Sequence, residues 1–225
     1  MKVSGVVLLG RTFEEYCTYF QLKERDLGAE RILDLGAGVS SFCAEGAARG
    51  YEIIAADPIY DLPAEAIAAK SRADLDDVLH QLPGVMHKYN WDFYRDPEAL
   101  RSYRETARIR FLEDYTANPN RYVTASLPGT GFEDNQFSLV LVSYFLFLYD
   151  EQFDYEFHKR SILELARIAA REVRIYPLTN FNAEQSRFVE RLVHERECAH
   201  LSFEIIPSGF AFLKNSNELL NIRKR

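Results

Sequence analysis

The residues best equipped for chemistry stand early in the chain and close together. Asp34-Leu35-Gly36-Ala37-Gly38 sets a carboxylate beside a glycine pair, and Asp57 ends the next apolar run. A carboxylate accepts hydrogen bonds from hydroxyls and pairs with cations. Two glycines allow backbone dihedrals and a close ligand approach that a Cβ would block. The elements that must position these groups flank them. Ile32, Leu33 and Leu35 make the apolar run of a strand covered on both faces. Ser40 is placed to cap a helix running through Ala44 to Arg49. Glu52 to Asp57 reads as a second strand, whose terminal acid suits the two hydroxyls of a ribose. Strand, glycine turn, helix, strand and acid describe a nucleoside-binding βαβ unit; the alternative is a purely structural tight turn. Ser41 stands where the dinucleotide fingerprint wants glycine or alanine, which disfavours NAD.

With Asp34, Gly36, Gly38 and Asp57 so arranged, the sequence resembles the class I S-adenosylmethionine-dependent methyltransferases, whose first motif is an acid, any residue, then Gly-x-Gly. The resemblance covers residues 31–57 and 121–222. It implies an α/β, Rossmann-like sheet of seven strands, mostly parallel with an antiparallel C-terminal strand. It also implies S-adenosylmethionine as cofactor or substrate, and no metal. Asp34, Gly36, Gly38 and Asp57 would then bind the cofactor. The loop from Ser126 to Gly129 would seat the adenine through Ser126 and the Leu127 amide. A leading helix often covers the cofactor in this family, so Arg11 or Tyr16 would reach the methionine carboxylate. The alternative is that Tyr16 packs on the sheet and Arg11 is solvated. Two departures stand out. Ser138 replaces the acid usual after Phe137, and the Asn/Asp-Pro-Pro-Tyr tetrad is absent, which argues against methylation of adenine or glutamine amides.

Along the chain, Val3 to Leu9 is a short apolar segment, and Thr12 with Glu15 has capping-box spacing for a helix carrying Phe13, Tyr16, Tyr19 and Phe20 on one side. Residues 58 to 120 are too many for a bare connection. They are expected to form an inserted helical lid, with helices over Pro63–Arg72, Asp74–Leu82 and Pro97–Tyr115. Trp91, with Tyr89, Phe93 and Tyr94, is either packing or an aromatic face for a cationic ligand. Strands are expected over Arg121–Ala125, Ser138–Ser143 and Glu172–Tyr176, the last halted by Pro177. Helices are expected over Phe153–Ala170 and Asn182–Ala199. Leu201–Ile206 and Glu218–Ile222 form an antiparallel pair. The whole chain, 1–225, reads as one domain.

The 47% hydrophobic content is that of a globular protein, and the formal charge of −7 leaves no basic stripe to track nucleic acid. Three widely spaced cysteines and five scattered histidines supply neither a disulfide framework nor a metal motif. His158, His194 and His200 read as surface or core-edge residues. No leader or membrane span is legible, so a soluble, cytoplasmic protein that binds no membrane is expected.

Open α/β sheets bind ligands at the carboxyl ends of their strands. The exit Ser143-Tyr144-Phe145-Leu146-Phe147 is therefore the expected reaction centre, with Tyr176 on the same edge. Tyr144, Tyr149, Tyr176, Trp91 and Tyr94 can enclose a sulfonium, while Phe145 and Phe147 read as core. Ser143, Tyr144 and Tyr176 are the candidate catalytic residues. Methyl transfer to a small molecule is one reading. The tyrosine-rich exits and closed lid also resemble azetidine-2-carboxylate synthases, lyases in which the cofactor's amine attacks its own γ-carbon and expels methylthioadenosine. A non-catalytic cofactor-binding module is the third.

Overall fold

The computed structural model describes residues 5–28 and 31–225, so Val3 of the apolar N-terminal segment lies outside them. Among the described residues one sheet contains β1 (Arg31–Leu35), β2 (Glu52–Ala56), β3 (Tyr122–Val123), β4 (Phe137–Ser143), β5 (Ala169–Tyr176), β6 (Leu201–Pro207) and β7 (Glu218–Lys224). Their order is β3-β2-β1-β4-β5-β7-β6, parallel from β3 to β5, with β7 antiparallel to both β5 and β6. The order reverses between β1 and β4, and a crevice opens at such a switch point.

Strand β4 shows why the sheet is buried on both sides. Side chains alternate across a strand. Leu139 and Leu141 therefore enter one core with Ile32 and Ile53, and Val140 and Val142 enter the other with Leu33 and Ile175. The first face is covered by α1 (Phe13–Tyr19), α3 (Phe42–Ala47) and the insertion. The second is covered by α6 (Tyr155–Ile168) and α7 (Val189–Val193). A short helix, α2 (Glu24–Leu27), precedes β1.

Several elements differ from the sequence reading. The two helices expected over 63–82 are one, α4 (Ala64–Gln81), because Ile67, Ser71, Leu75 and Val78 continue a single buried stripe. It packs on α5 (Pro97–Ala117). The long helix expected over 182–199 shrinks to α7. Asn180 accepts the Asn182 amide at 2.9 Å, Ala183 has φ +62°, and Ser186 donates back to Leu178 at 2.8 Å. That side-chain-directed turn takes up the backbone groups a helix would need. Strand β3 is cut to two residues, and α3 starts at Phe42 with its amide on Ser40 Oγ at 3.1 Å. His158 is fully buried, its two ring nitrogens 2.7 and 2.8 Å from the carbonyls of Asp154 and Leu146.

The insertion is locked to α1 by buried charge. Glu15 caps its own helix through Thr12, accepting the Thr12 amide at 2.8 Å. Its other oxygen pairs with Arg104 of α5 at 2.7 Å and accepts the Tyr94 hydroxyl. Arg104 also donates to the Tyr94 oxygen at 2.6 Å and the Gly10 carbonyl at 3.0 Å. Burial works against the Glu15 carboxylate, but Arg104 and then Arg11 hold it below its usual range. Arg104 is raised in turn, burial opposing and Glu15 prevailing. Gly10 fits here because a Cβ would lie 2.3 Å from the Val39 carbonyl oxygen.

Removing one partner of such a pair leaves the other charge buried and unpaired. Glu15→Gln or Arg104→Met is expected to cost about 3–5 kcal/mol in urea unfolding. The double variant Glu15→Leu/Arg104→Met should recover most of that loss, and a double variant whose loss equals the sum of the two single losses would show the pair is not coupled.

Candidate active site

The cleft forms where β1 and β4 diverge. The glycine turn after β1 carries Gly36 at φ +72° and Gly38 at φ +54°. A Cβ on Gly36 would rest in ordinary contact with the Phe145 ring, so it is the positive φ of the turn that calls for glycine. Asp57, following β2, fastens this turn by accepting the Gly38 amide at 2.9 Å and the Ile59 amide at 3.1 Å. Tyr60 completes the clamp by donating to the Gly38 carbonyl at 2.7 Å.

A cleft of about 300 Å³ lies over this turn, within the range of small-molecule sites. Arg11, Tyr16, Gly36, Gly38 and Asp57 line it, as do Ser126, Leu127, Ser143 and Tyr144. Its outer wall is Phe145, Phe153 and Phe157. The roof is not the expected lid, of which Pro58, Ile59 and Lys70 reach the lining. It is the strap of residues 6–11. Val7 donates to the Tyr149 hydroxyl at 3.0 Å, Leu8 to Asp74 of α4 at 2.8 Å, and Ser40 and Ser41 bond the Arg11 carbonyl.

Asp34 adjoins the cleft and is fully buried. One oxygen accepts the Tyr16 hydroxyl at 3.0 Å, and the other has no partner. Burial pushes this carboxyl up to about 8, the Tyr16 hydroxyl opposing and Asp57 adding to the rise. Burial also raises Asp57, against the pull of the Ile59 and Gly38 amides. A buried polar group without a partner is costly, whether this oxygen carries the proton or not, and Tyr16, Leu35 and Gly36 beside it line the cleft.

At the β4 exit, Ser143 Oγ and the Tyr19 hydroxyl are 2.7 Å apart. Tyr144 has φ +51°, a conformation costing a non-glycine residue about 1–3 kcal/mol. Its amide is held by the Tyr176 carbonyl at 2.6 Å. The Arg11 guanidinium stacks 3.6 Å from the centre of its ring. The Tyr144 hydroxyl and Arg11 Nε are buried without hydrogen bonds.

Two candidates stand apart. Tyr176 pairs with Ser143 in register, but its ring stacks on Tyr19 at 4.6 Å and its hydroxyl meets Phe210 and Ser216, each at 3.2 Å. It is fully buried in the core below the cleft. Trp91 packs edge-on to Phe212 at 5.3 Å and does not line the cleft. Tyr19, Tyr60 and the strap were missed as site elements. Only the helical spacing of Tyr16 and Tyr19 carried a signal for one of them. Among the described residues, no three His, Cys, Asp or Glu side chains stand where they could share a metal ion, and no helix is long and apolar enough to cross a membrane.

The parallel sheet, its antiparallel β7 and the glycine-turn cleft define the fold of the class I S-adenosylmethionine-dependent methyltransferases. The magnesium protoporphyrin IX methyltransferase of Synechocystis PCC 6803, solved with bound SAH, superposes with a TM-score of 0.51 at 11% identity, over 95% of this chain and 81% of that one. A TehB-like SAM-dependent methyltransferase of Corynebacterium glutamicum gives 0.47 at 13% identity, over 87% and 80%. No family model matches the sequence. The chain belongs to the family of the uncharacterized protein MJ0045 of Methanocaldococcus jannaschii, with which it shares 39% identity over all of its own length and 99% of that protein's.

Asp34 gives stability a pH dependence of known sign. An unfolded aspartate titrates near 3.9, so between about pH 4 and pH 8 the native state keeps a proton that the unfolded state has lost. Stability from this group therefore falls as pH rises through that window. Asp34→Asn holds no such proton. Its stability relative to wild type in chemical denaturation should grow from about pH 5 to about pH 8, and a constant difference would refute the raised carboxyl.

Proposed function

We propose that the protein is an S-adenosylmethionine-dependent methyltransferase acting on a small molecule. The observation that carries this reading is the unpaired, buried Asp34 oxygen beside a glycine turn clamped by Asp57. The donor set fits the cofactor. Asp34 and Tyr16 suit its ammonium, Arg11 its carboxylate, Asp57 and the turn its ribose, and Ser126 with the Leu127 amide its adenine edge. When bound, S-adenosylmethionine supplies a sulfonium-activated methyl group. The protein's part is to orient that group, keep water out with the strap, and offer the Tyr144 ring to positive charge, a contact worth about 0.5–2 kcal/mol. Arg11 now occupies that ring face, and engagement of Arg11 by a carboxylate would free it.

One observation favours a second reading, cyclisation of the cofactor to azetidine-2-carboxylate. Ionised above about pH 8, Asp34 is a stronger base than an ordinary aspartate toward an ammonium bound beside Tyr16, and among the described residues the cleft lining holds no histidine. In that reaction the amine nitrogen bonds the γ-carbon, the carbon–sulfur pair returns to sulfur, and methylthioadenosine leaves.

Incubation with S-adenosylmethionine alone, followed by mass spectrometry, separates the two. Methylthioadenosine with a four-carbon cyclic amino acid supports cyclisation; S-adenosylhomocysteine formed only with added small-molecule extract supports transfer. No turnover in either case would leave a binding module. In calorimetry with S-adenosylhomocysteine, Asp57→Ala should lose about 1.5–3 kcal/mol, roughly 10- to 150-fold in affinity. Unchanged affinity would remove Asp57 from the ribose site.

A further inference from the structure

Behind the strap lies a second chamber, of about 80 Å³, roofed by elements outside the βαβ core. Leu75, Val78 and Leu79 of α4 form one wall, and Phe212 and Leu213 of the β6–β7 connection form another. Arg11 and Tyr144 belong to both this chamber and the cleft, so the two spaces share a partition. Arg104 also borders the chamber, but its charge is matched by Glu15 at 2.7 Å. The polar atom at the partition is the buried Tyr144 hydroxyl, which makes no hydrogen bond of ordinary length and has the Tyr176 side chain as its polar neighbour, on a residue held in the left-handed conformation. Backbone strain is retained where surrounding structure enforces it, and it gathers at functional positions.

We propose that this chamber is a second ligand site: it binds a small aliphatic molecule of about three to five carbons carrying one uncharged hydrogen-bonding group, which faces the Tyr144 hydroxyl. The size follows from volume, since an apolar cavity of about 150 Å³ takes up benzene and this one has roughly half that space. The polarity follows from the lining, since a charged group would be desolvated there without an unmatched partner of its own. Arg11, the remaining cation of the partition, is engaged by the cofactor's carboxylate in the methyltransferase reading, on which this inference rests.

Trp91 is the single tryptophan of the chain, and its indole abuts Phe212 of the chamber wall. Its fluorescence therefore reports on occupancy. The probes are straight-chain 1-alkanols from ethanol to octanol, titrated into the full-length protein with and without S-adenosylhomocysteine. Saturable binding is expected, tightest at about three to five carbons. Leu79→Phe, which fills the chamber, should weaken alkanol binding at least tenfold while S-adenosylhomocysteine still binds, its affinity shifted no further than alkanol occupancy shifts it. Tyr144→Phe should weaken it several-fold. Should Leu79→Phe melt early, Val78→Leu fills less space and should shift the length optimum downward. Because the two sites share a wall, S-adenosylhomocysteine should change alkanol affinity at least threefold, and alkanols should change its affinity by the same factor.

Absence of saturable binding, indifference to chain length or to Leu79→Phe, or affinities independent of S-adenosylhomocysteine would each overturn the proposal, the last marking an adventitious void. If S-adenosylhomocysteine itself fails to bind, the cofactor reading falls, while the length profile and Leu79→Phe still judge the chamber.

Discussion

The ion pair between Glu15 and Arg104 is the contact on which the upper half of the molecule depends. Two charges removed from water rarely repay their desolvation unless every remaining hydrogen-bonding position is filled. Here the filling is nearly complete. Glu15 serves its own helix cap, Arg104 and Tyr94, and Arg104 reaches the Gly10 carbonyl. Through these bonds α1, α5, the aromatic turn at 91–94 and the start of the strap are fixed to one another. Tyr16 and Tyr19 hang from the same helix and point their hydroxyls at Asp34 and Ser143. Placement of the tyrosines that frame the site is thus set by a charge pair that does not line the cleft itself.

Below that clamp, polar groups meet the cleft in two different conditions. Asp57 is satisfied by backbone amides and acts as part of the turn. Asp34, Arg11 and Tyr144 each keep an atom without a partner. Buried polar groups are almost always paired; among the described residues eight buried side-chain atoms are not, and these three gather about the cleft. A ligand that pairs with them gains hydrogen bonds the protein alone does not make.

What the sequence disclosed and what it hid divide along chain distance. Asp34, Gly36, Gly38 and Asp57 are near neighbours in sequence, and their motif describes a local βαβ unit whose geometry hardly depends on the rest. The continuous apolar run of β4 located the central strand for the same reason. The length of α4 was misjudged because a helix stripe and two short helices differ little in composition. Tyr176 and Trp91 were misplaced because position along a strand or turn does not say which way a side chain packs. Tyr176 follows β5 to the correct edge, yet its ring turns toward Tyr19 and Phe210. The Tyr19–Ser143 and Glu15–Arg104 contacts join residues far apart in sequence, and nothing in either segment names its partner.

The strap at residues 6–11 carries a consequence for both compartments. It forms the roof of one compartment and a wall of the other, and its bonds run to Tyr149 beyond β4 and to Asp74 on α4. A single short stretch of backbone therefore lines both spaces, and Val7, Leu9 and Arg11 face the two together. A change in the path of these few residues alters the shape of both spaces at once.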